Sequence, residues 1–154
     1  MVKIWRVVVA ALALSPLVAQ SIEIKDAYVR GLPPTQRNTA AFFTVLNASD
    51  KPVELMAGRS DAAERLEIHS HQHRNGMMSM QKQASVSIAA GESLVFESGG
   101  YHLMLINLTR AVRDGDQLSF SLTTDDGEEV TVLAPVISVL KESSAIKEHA
   151  GVHQ

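Results

Sequence analysis

The chain has 154 residues, 14 of them basic and 17 acidic, with 45% hydrophobic residues and no cysteine. That is enough chain for one domain with a single hydrophobic core, and the missing cysteine excludes a disulfide framework, a thiol nucleophile and the Cys ligand that a blue-copper electron carrier needs. A formal charge of −3 offers no basic face for nucleic acid.

Lys3 and Arg6 precede an apolar run over 7–14, far short of the ~20 residues of a membrane-spanning helix. Ser15-Pro16 breaks that run, and Leu17-Val18-Ala19 supplies a small residue before a cut at Gln20. Residues 1–19 therefore read as a secretory signal peptide and are set aside in reasoning about the fold. Their removal takes Lys3 and Arg6 away, leaving twelve basic residues against seventeen acidic, a formal charge of −5. Nothing downstream reads as a membrane span, so no stable membrane insertion is expected after cleavage.

From residue 22 onward the pattern predicts short strands divided by turn residues. Residues 22–29 alternate apolar and polar side chains, 31–38 form a loop around Pro33-Pro34, and 39–46 is apolar enough for a buried strand. Further strands are expected over 53–57, 65–70, 77–82, 93–97 and 102–108. Asp114-Gly115-Asp116 and Asp125-Asp126-Gly127 then flank strands over 117–124 and 128–139. Ser60 to Glu64 is compatible with one helical turn. Many short, evenly spaced strands predict an all-β sandwich or barrel in a single domain over 20–140. Residues 141–154 are polar, lack strand periodicity and are expected to form a flexible tail or frayed helix.

The chemistry gathers in two clusters. His69-Ser70-His71-Gln72-His73 leads to Gly76-Met77-Met78-Ser79-Met80, and Gly99-Gly100 leads to Tyr101-His102-Leu103-Met104. On a strand, residues i and i+2 share a face. His102 and Met104 therefore project together, Glu67, His69 and His71 share a face, and so do Met78 and Met80. Imidazole and thioether without thiolate form a donor set for soft monovalent copper. His71, His73 and Met78 are auxiliary candidates, and His149 and His153 on the tail are candidates for capturing Cu(II).

The spacing from His69 over ten residues to Met80, then over twenty-one to His102-Leu103-Met104, resembles the pattern of the PCu(A)C family of exported bacterial copper chaperones. The resemblance extends over roughly 22–139 and includes Gly-Gly-Tyr-His-Leu-Met-Leu at 99–105. It implies a cupredoxin-like Greek-key β-sandwich in the periplasm, with Cu(I) held by His69, Met80, His102 and Met104. It also implies delivery to the copper centre of cytochrome c oxidase subunit II, together with a Sco-type protein, and no enzymatic turnover. One departure stands out: where the family often places a methionine two residues after its first histidine, this chain has His71, which either joins the copper sphere or makes a neighbouring Cu(II)-preferring site with His73. Two alternatives compete, a copper-buffering or resistance protein without a dedicated acceptor, and a non-metal β-sandwich assembly module. Asn47-Ala48-Ser49 and Asn107-Leu108-Thr109 fit the N-glycosylation pattern but carry no weight in a bacterial export product.

Overall fold

The computed structural model describes residues 20–74 and 76–141. The expected signal peptide and the tail histidines, His149 and His153, lie outside the described residues. Ten strands follow one another: β1 Ile22–Gly31, β2 Thr39–Asn47, β3 Val53–Ser60, β4 Ala63–Arg74 and β5 Met77–Gln83 make the first half. β6 Val86–Ile88, β7 Ser93–Phe96, β8 Tyr101–Leu108, β9 Gln117–Thr124 and β10 Glu129–Ser138 complete it.

Their lateral order is β5-β4-β8-β7-β2-β1-β10-β9-β3-β6, with β8 also paired to β2. β10 joins two sheets, running parallel to β1 through Val29↔Val136 and antiparallel to β9 from Glu129↔Thr123 to Pro135↔Gln117. Phe43 on β2 and Phe120 on β9 are not lateral neighbours, yet their ring centroids lie 5.5 Å apart, and Phe43 stacks on Phe96 of β7 at 4.4 Å. The sheets therefore pack face to face over an aromatic centre, which is the sandwich that the strand pattern predicts.

The alternation that predicts the strands also fills the core. Along β10, Val130, Val132, Ala134 and Val136 point inward while Glu129, Thr131, Leu133 and Pro135 point out. Leu66 and Ile68 on β4 and Leu103 and Leu105 on β8 are buried on the core side, so the intervening residues of both strands must face the other way. Each such side chain contributes about 1.5–3 kcal/mol of burial. Leu103→Ala would cost about 2–5 kcal/mol through the cavity it leaves.

Three elements differ from expectation. Residues 60–64 do not form a helical turn: Asp61 and Ala62 bend the chain between β3 and β4, and Ala63 and Glu64 already belong to β4. A few residues cannot sustain a helical nucleus, whereas the bend is fixed by Ser119 N–H donating to Asp61 Oδ1 at 3.2 Å and by complete burial of Ala62. β3 runs three residues past its expected end because Gly58 lets it press onto β9, where a Cβ would stand 2.7 Å from the Ser121 carbonyl oxygen. β6 is a three-residue strand that pairs Val53 with Ile88, too short to show periodicity in sequence.

Candidate metal centre

β4 extends to Arg74 and so carries His69, His71 and His73 on one continuous strand. It lies between β5 and β8, and the registers decide which side chains meet. His69 pairs with His102 and Glu67 with Met104 on the β8 side; His71 pairs with Met80, His73 with Met78 and His69 with Lys82 on the β5 side. Residues directly opposite in an antiparallel pair share a face. Glu67, His69, His71, Met80, Lys82, His102 and Met104 therefore occupy one side of a three-stranded patch, opposite the core side chains of β4 and β8.

The turn before β8 completes the arrangement. Gly99 adopts φ +93°, a conformation open to glycine at little cost. The Gly100 carbonyl that follows accepts twice, from the His71 backbone N–H at 3.3 Å and from the His102 ring at Nδ1, 3.2 Å away. One carbonyl thus holds both histidines in place.

With Nδ1–H committed to Gly100, the lone pair of neutral His102 lies on Nε2. That atom stands 3.3 Å from Met80 Sδ, so two electron-pair donors converge with no proton between them. His69 shows the complementary pattern. Its Nε2–H donates to Glu67 Oε2 at 2.9 Å, and its Nδ1 is buried without a partner. His71 Nδ1 is likewise buried and unpartnered. Orphaned buried nitrogens are costly unless something else satisfies them, and bare nitrogen and sulfur lone pairs are what a soft cation takes. The His102 ring lies 5.1 Å from that of His71 and 6.0 Å from that of His69.

Electrostatics keep the donors available. Burial lowers the His102 pKa, with a smaller opposing contribution from the Gly100 hydrogen bond and further lowering by His71, His69 and Arg30. His102 is 4% exposed and is held neutral. The Glu67 carboxyl lies below its usual range, first because of the His69 hydrogen bond and then because Lys82 Nζ sits 2.9 Å from Oε1. Among the described residues no three His, Asp or Glu side chains come together as a metal-holding group, so thioether sulfur is needed to complete a donor set on this face.

All four residues of the spacing pattern thus lie on one face, but not at equal closeness. His102 and Met80 touch, His69 flanks them, and Met104 sits one rung further along, opposite Glu67 and Ala40. Met78 lies on the outer rung of the β4–β5 hairpin at 58% exposure, beside Met80 at 54%. Sequence reasoning placed Glu67 on the histidine face without giving it a role, and missed Lys82. The period of two that groups His69 with His71 reaches Glu67 as well, whereas Lys82 becomes visible only through the hairpin register.

Comparison with known proteins follows the same lines. Residues 22–136 match the LpqE-like family, described as lipoproteins of the LpqE type. A Leifsonia xyli protein named as a lipoprotein, Lxx21020, is 31% identical over 119 residues, which span 77% of this chain and 70% of that protein. The solution structure of Cu(I)-bound DR1885 from Deinococcus radiodurans is 30% identical, with a TM-score of 0.62 over 77% of this chain and 81% of that one. A copper-bound PCuAC domain from PmoF2 has a TM-score of 0.65 at 18% identity, over 77% of this chain and 94% of that one, and shares the cupredoxin-like fold.

Proposed function

The chain belongs to the LpqE-like family, with the PCuAC type of domain, and from that membership and the geometry of the β4–β5–β8 face we propose that it is an exported copper chaperone. It takes Cu(I) through His69 Nδ1, Met80 Sδ, His102 Nε2 and Met104, and passes it on by ligand exchange. The observation that carries this reading is the convergence of His102 Nε2 and Met80 Sδ at 3.3 Å, beside a buried His69 Nδ1 that no protein group satisfies.

Thioethers are soft, uncharged and have no proton to lose, so they favour Cu(I) over Zn(II). An uncharged ligand also releases the ion readily to a thiolate or to a denser site. Met78 and Met77, exposed at the hairpin tip, are suited to first capture and to hand-over. The acceptor is the binuclear copper centre of cytochrome c oxidase subunit II, with a Sco-type protein assisting, and the compartment is the periplasm. No helix among the described residues is long and apolar enough to cross a membrane. The family model and the Leifsonia xyli relative carry lipoprotein names, and residues 1–154 contain no cysteine.

A Cu(I) competition titration against a chromophoric chelator tests the site, run beside Met80→Ala/Met104→Ala. The wild type should bind one ion tightly and the double variant should lose that binding. Binding indifferent to the two methionines would make them packing residues and end the proposal. Transfer to the oxidase subunit then separates a chaperone from a copper buffer, which would bind equally well and deliver nothing.

A further inference from the structure

His71 is the site residue whose environment has no explanation in packing. Its backbone N–H is used, donating to the Gly100 carbonyl, but its ring nitrogen Nδ1 is buried with no hydrogen-bond partner. It pairs across the hairpin with Met80, and its ring lies closer to His102 than the His69 ring does, 5.1 Å against 6.0 Å. The His69 ring is also tied through Nε2 to Glu67, which in turn holds Lys82. Of these two β4 imidazoles, His71 therefore lies nearer His102 and directly opposite Met80, a position outside the four residues of the spacing pattern.

We propose that His71 is a ligand of the copper seat itself, closing it with His102 and Met80, and that this imidazole gives the seat a hold on Cu(II) as well as Cu(I). The inference rests on the copper reading above. A sulfur donor at this position would contribute to Cu(I) alone, whereas imidazole is an intermediate ligand that serves both oxidation states. With His71 present, the seat can keep its ion when copper arrives oxidised, and no electron transfer is required of the protein. The Gly100 carbonyl makes the assignment geometrically specific: from one atom it fixes the His102 ring and the backbone rung that carries His71.

The test uses the full chain carrying His73→Ala, His149→Ala and His153→Ala, so that His69, His71 and His102 are its only imidazoles. Into this parent are placed His71→Ala and, separately, His71→Met, which fills comparable volume. Each protein is titrated with Cu(I) by competition and with Cu(II) by electron paramagnetic resonance, where hyperfine coupling counts bound nitrogens. Thermal midpoints confirm folding. The parent is expected to bind one Cu(II), and both variants to lose one coordinated nitrogen and weaken Cu(II) binding by more than the ~10-fold at which loss of an outer-sphere partner begins. His71→Met should keep Cu(I) affinity near the parent's, and His71→Ala should lower it. Nitrogen counts and affinities that match the parent in both variants would overturn the assignment, as would a parent that holds no Cu(II). If Cu(I) binding stays tight and dependent on Met80 while His71 proves silent, only this inference falls. If Cu(I) binding is weak or indifferent to Met80, the chaperone reading falls and takes this inference with it.

Discussion

Asn47 at the end of β2 and the histidines of β4 are both polar groups withdrawn from water, and they are treated in opposite ways. The Asn47 side chain is fully buried, its Nδ2 donating to the carbonyls of Lys51, Ile88 and Ala89 at 2.8, 3.0 and 3.2 Å. Its Oδ1 accepts from Ser49 N–H at 3.0 Å and from Ser49 Oγ. Every polar atom of that amide is matched, and the result is a pin that ties β2 to the β6 and β3 ends of the second sheet. On β4, by contrast, His69 and His71 each keep a buried nitrogen unmatched. A satisfied buried amide stabilises the fold, while an unsatisfied nitrogen costs stability unless a bound ion completes it, as the copper reading proposes. The same principle separates a structural cluster from a functional one within a single sandwich.

The largest expected effect lies on the structural side. Asn47→Ala would take the Asn47 donor from the Ile88 carbonyl and the acceptor from Ser49 N–H, while the Lys51 carbonyl keeps Ser49 Oγ and the Ala89 carbonyl keeps Glu92 N–H. At about 1–3 kcal/mol for each buried group left unsatisfied, the loss should be roughly 2–4 kcal/mol. The thermal midpoint should then fall by on the order of 10 °C. Cu(I) affinity per folded molecule should stay at the wild-type value, because the pin makes none of the site's contacts. A variant that unfolds normally but binds copper poorly would join the two clusters and end the distinction between them.

Glu67→Ala should show the reverse pattern, with a smaller free energy. Glu67 accepts the His69 Nε2–H and so leaves the lone pair on Nδ1; partners of this kind typically account for ~10–100-fold in metal affinity. A tenfold change corresponds to about 1.4 kcal/mol. The chelator competition should register that loss while the thermal midpoint barely moves, since Lys82 and Arg65, the carboxylate's other partners, are 62% and 60% exposed and an ion pair in water contributes little. A large drop in midpoint with unchanged copper binding would place Glu67 with Asn47 among the structural groups.

Much of this is legible in the sequence, for reasons that are physical. A period of two survives in strands with one face in the core, so β1, β8 and β10 read directly, and so does the shared face of His102 and Met104; β2, buried along nearly its whole length, reads instead from its apolar run. The exchangeable parts did not read. β6 is three residues long and carries no period, and the bend at Asp61-Ala62 depends on Ser119 from a strand more than fifty residues away in sequence. Within the site, period alone grouped His69 with His71 but could not rank them. That ranking needs the hairpin register that sets His71 against Met80, and the Gly100 carbonyl that no local pattern announces. Asn47 is the sharpest case, since its sequence context suggests a surface glycosylation acceptor while the fold encloses its amide.

The smallest expected effect is a dependence on pH, and it belongs to the site alone because Asn47 does not titrate. Burial lowers the His102 pKa below the ~6.5 of an unfolded imidazole. Above pH 6.5 both states hold the ring neutral and stability is level. As pH falls below 6.5 the unfolded chain takes up a proton that the folded chain still refuses, so ΔG of unfolding declines from 6.5 down to the lowered folded value and flattens beneath it. Thermal midpoints of the apo protein between pH 7.5 and 5.5 should therefore slope downward toward acid. The slope should shrink in His102→Gln and remain in Asn47→Ala, whose lower midpoint leaves the titration untouched. Copper follows the same displacement. A free imidazole begins to lose metal near pH 6.5, whereas His102 stays neutral further into acid, and its share of Cu(I) affinity should persist there. A slope unchanged in His102→Gln would mean that the acid sensitivity comes from other titrating groups, and that the burial of this ring has no energetic consequence for the free protein.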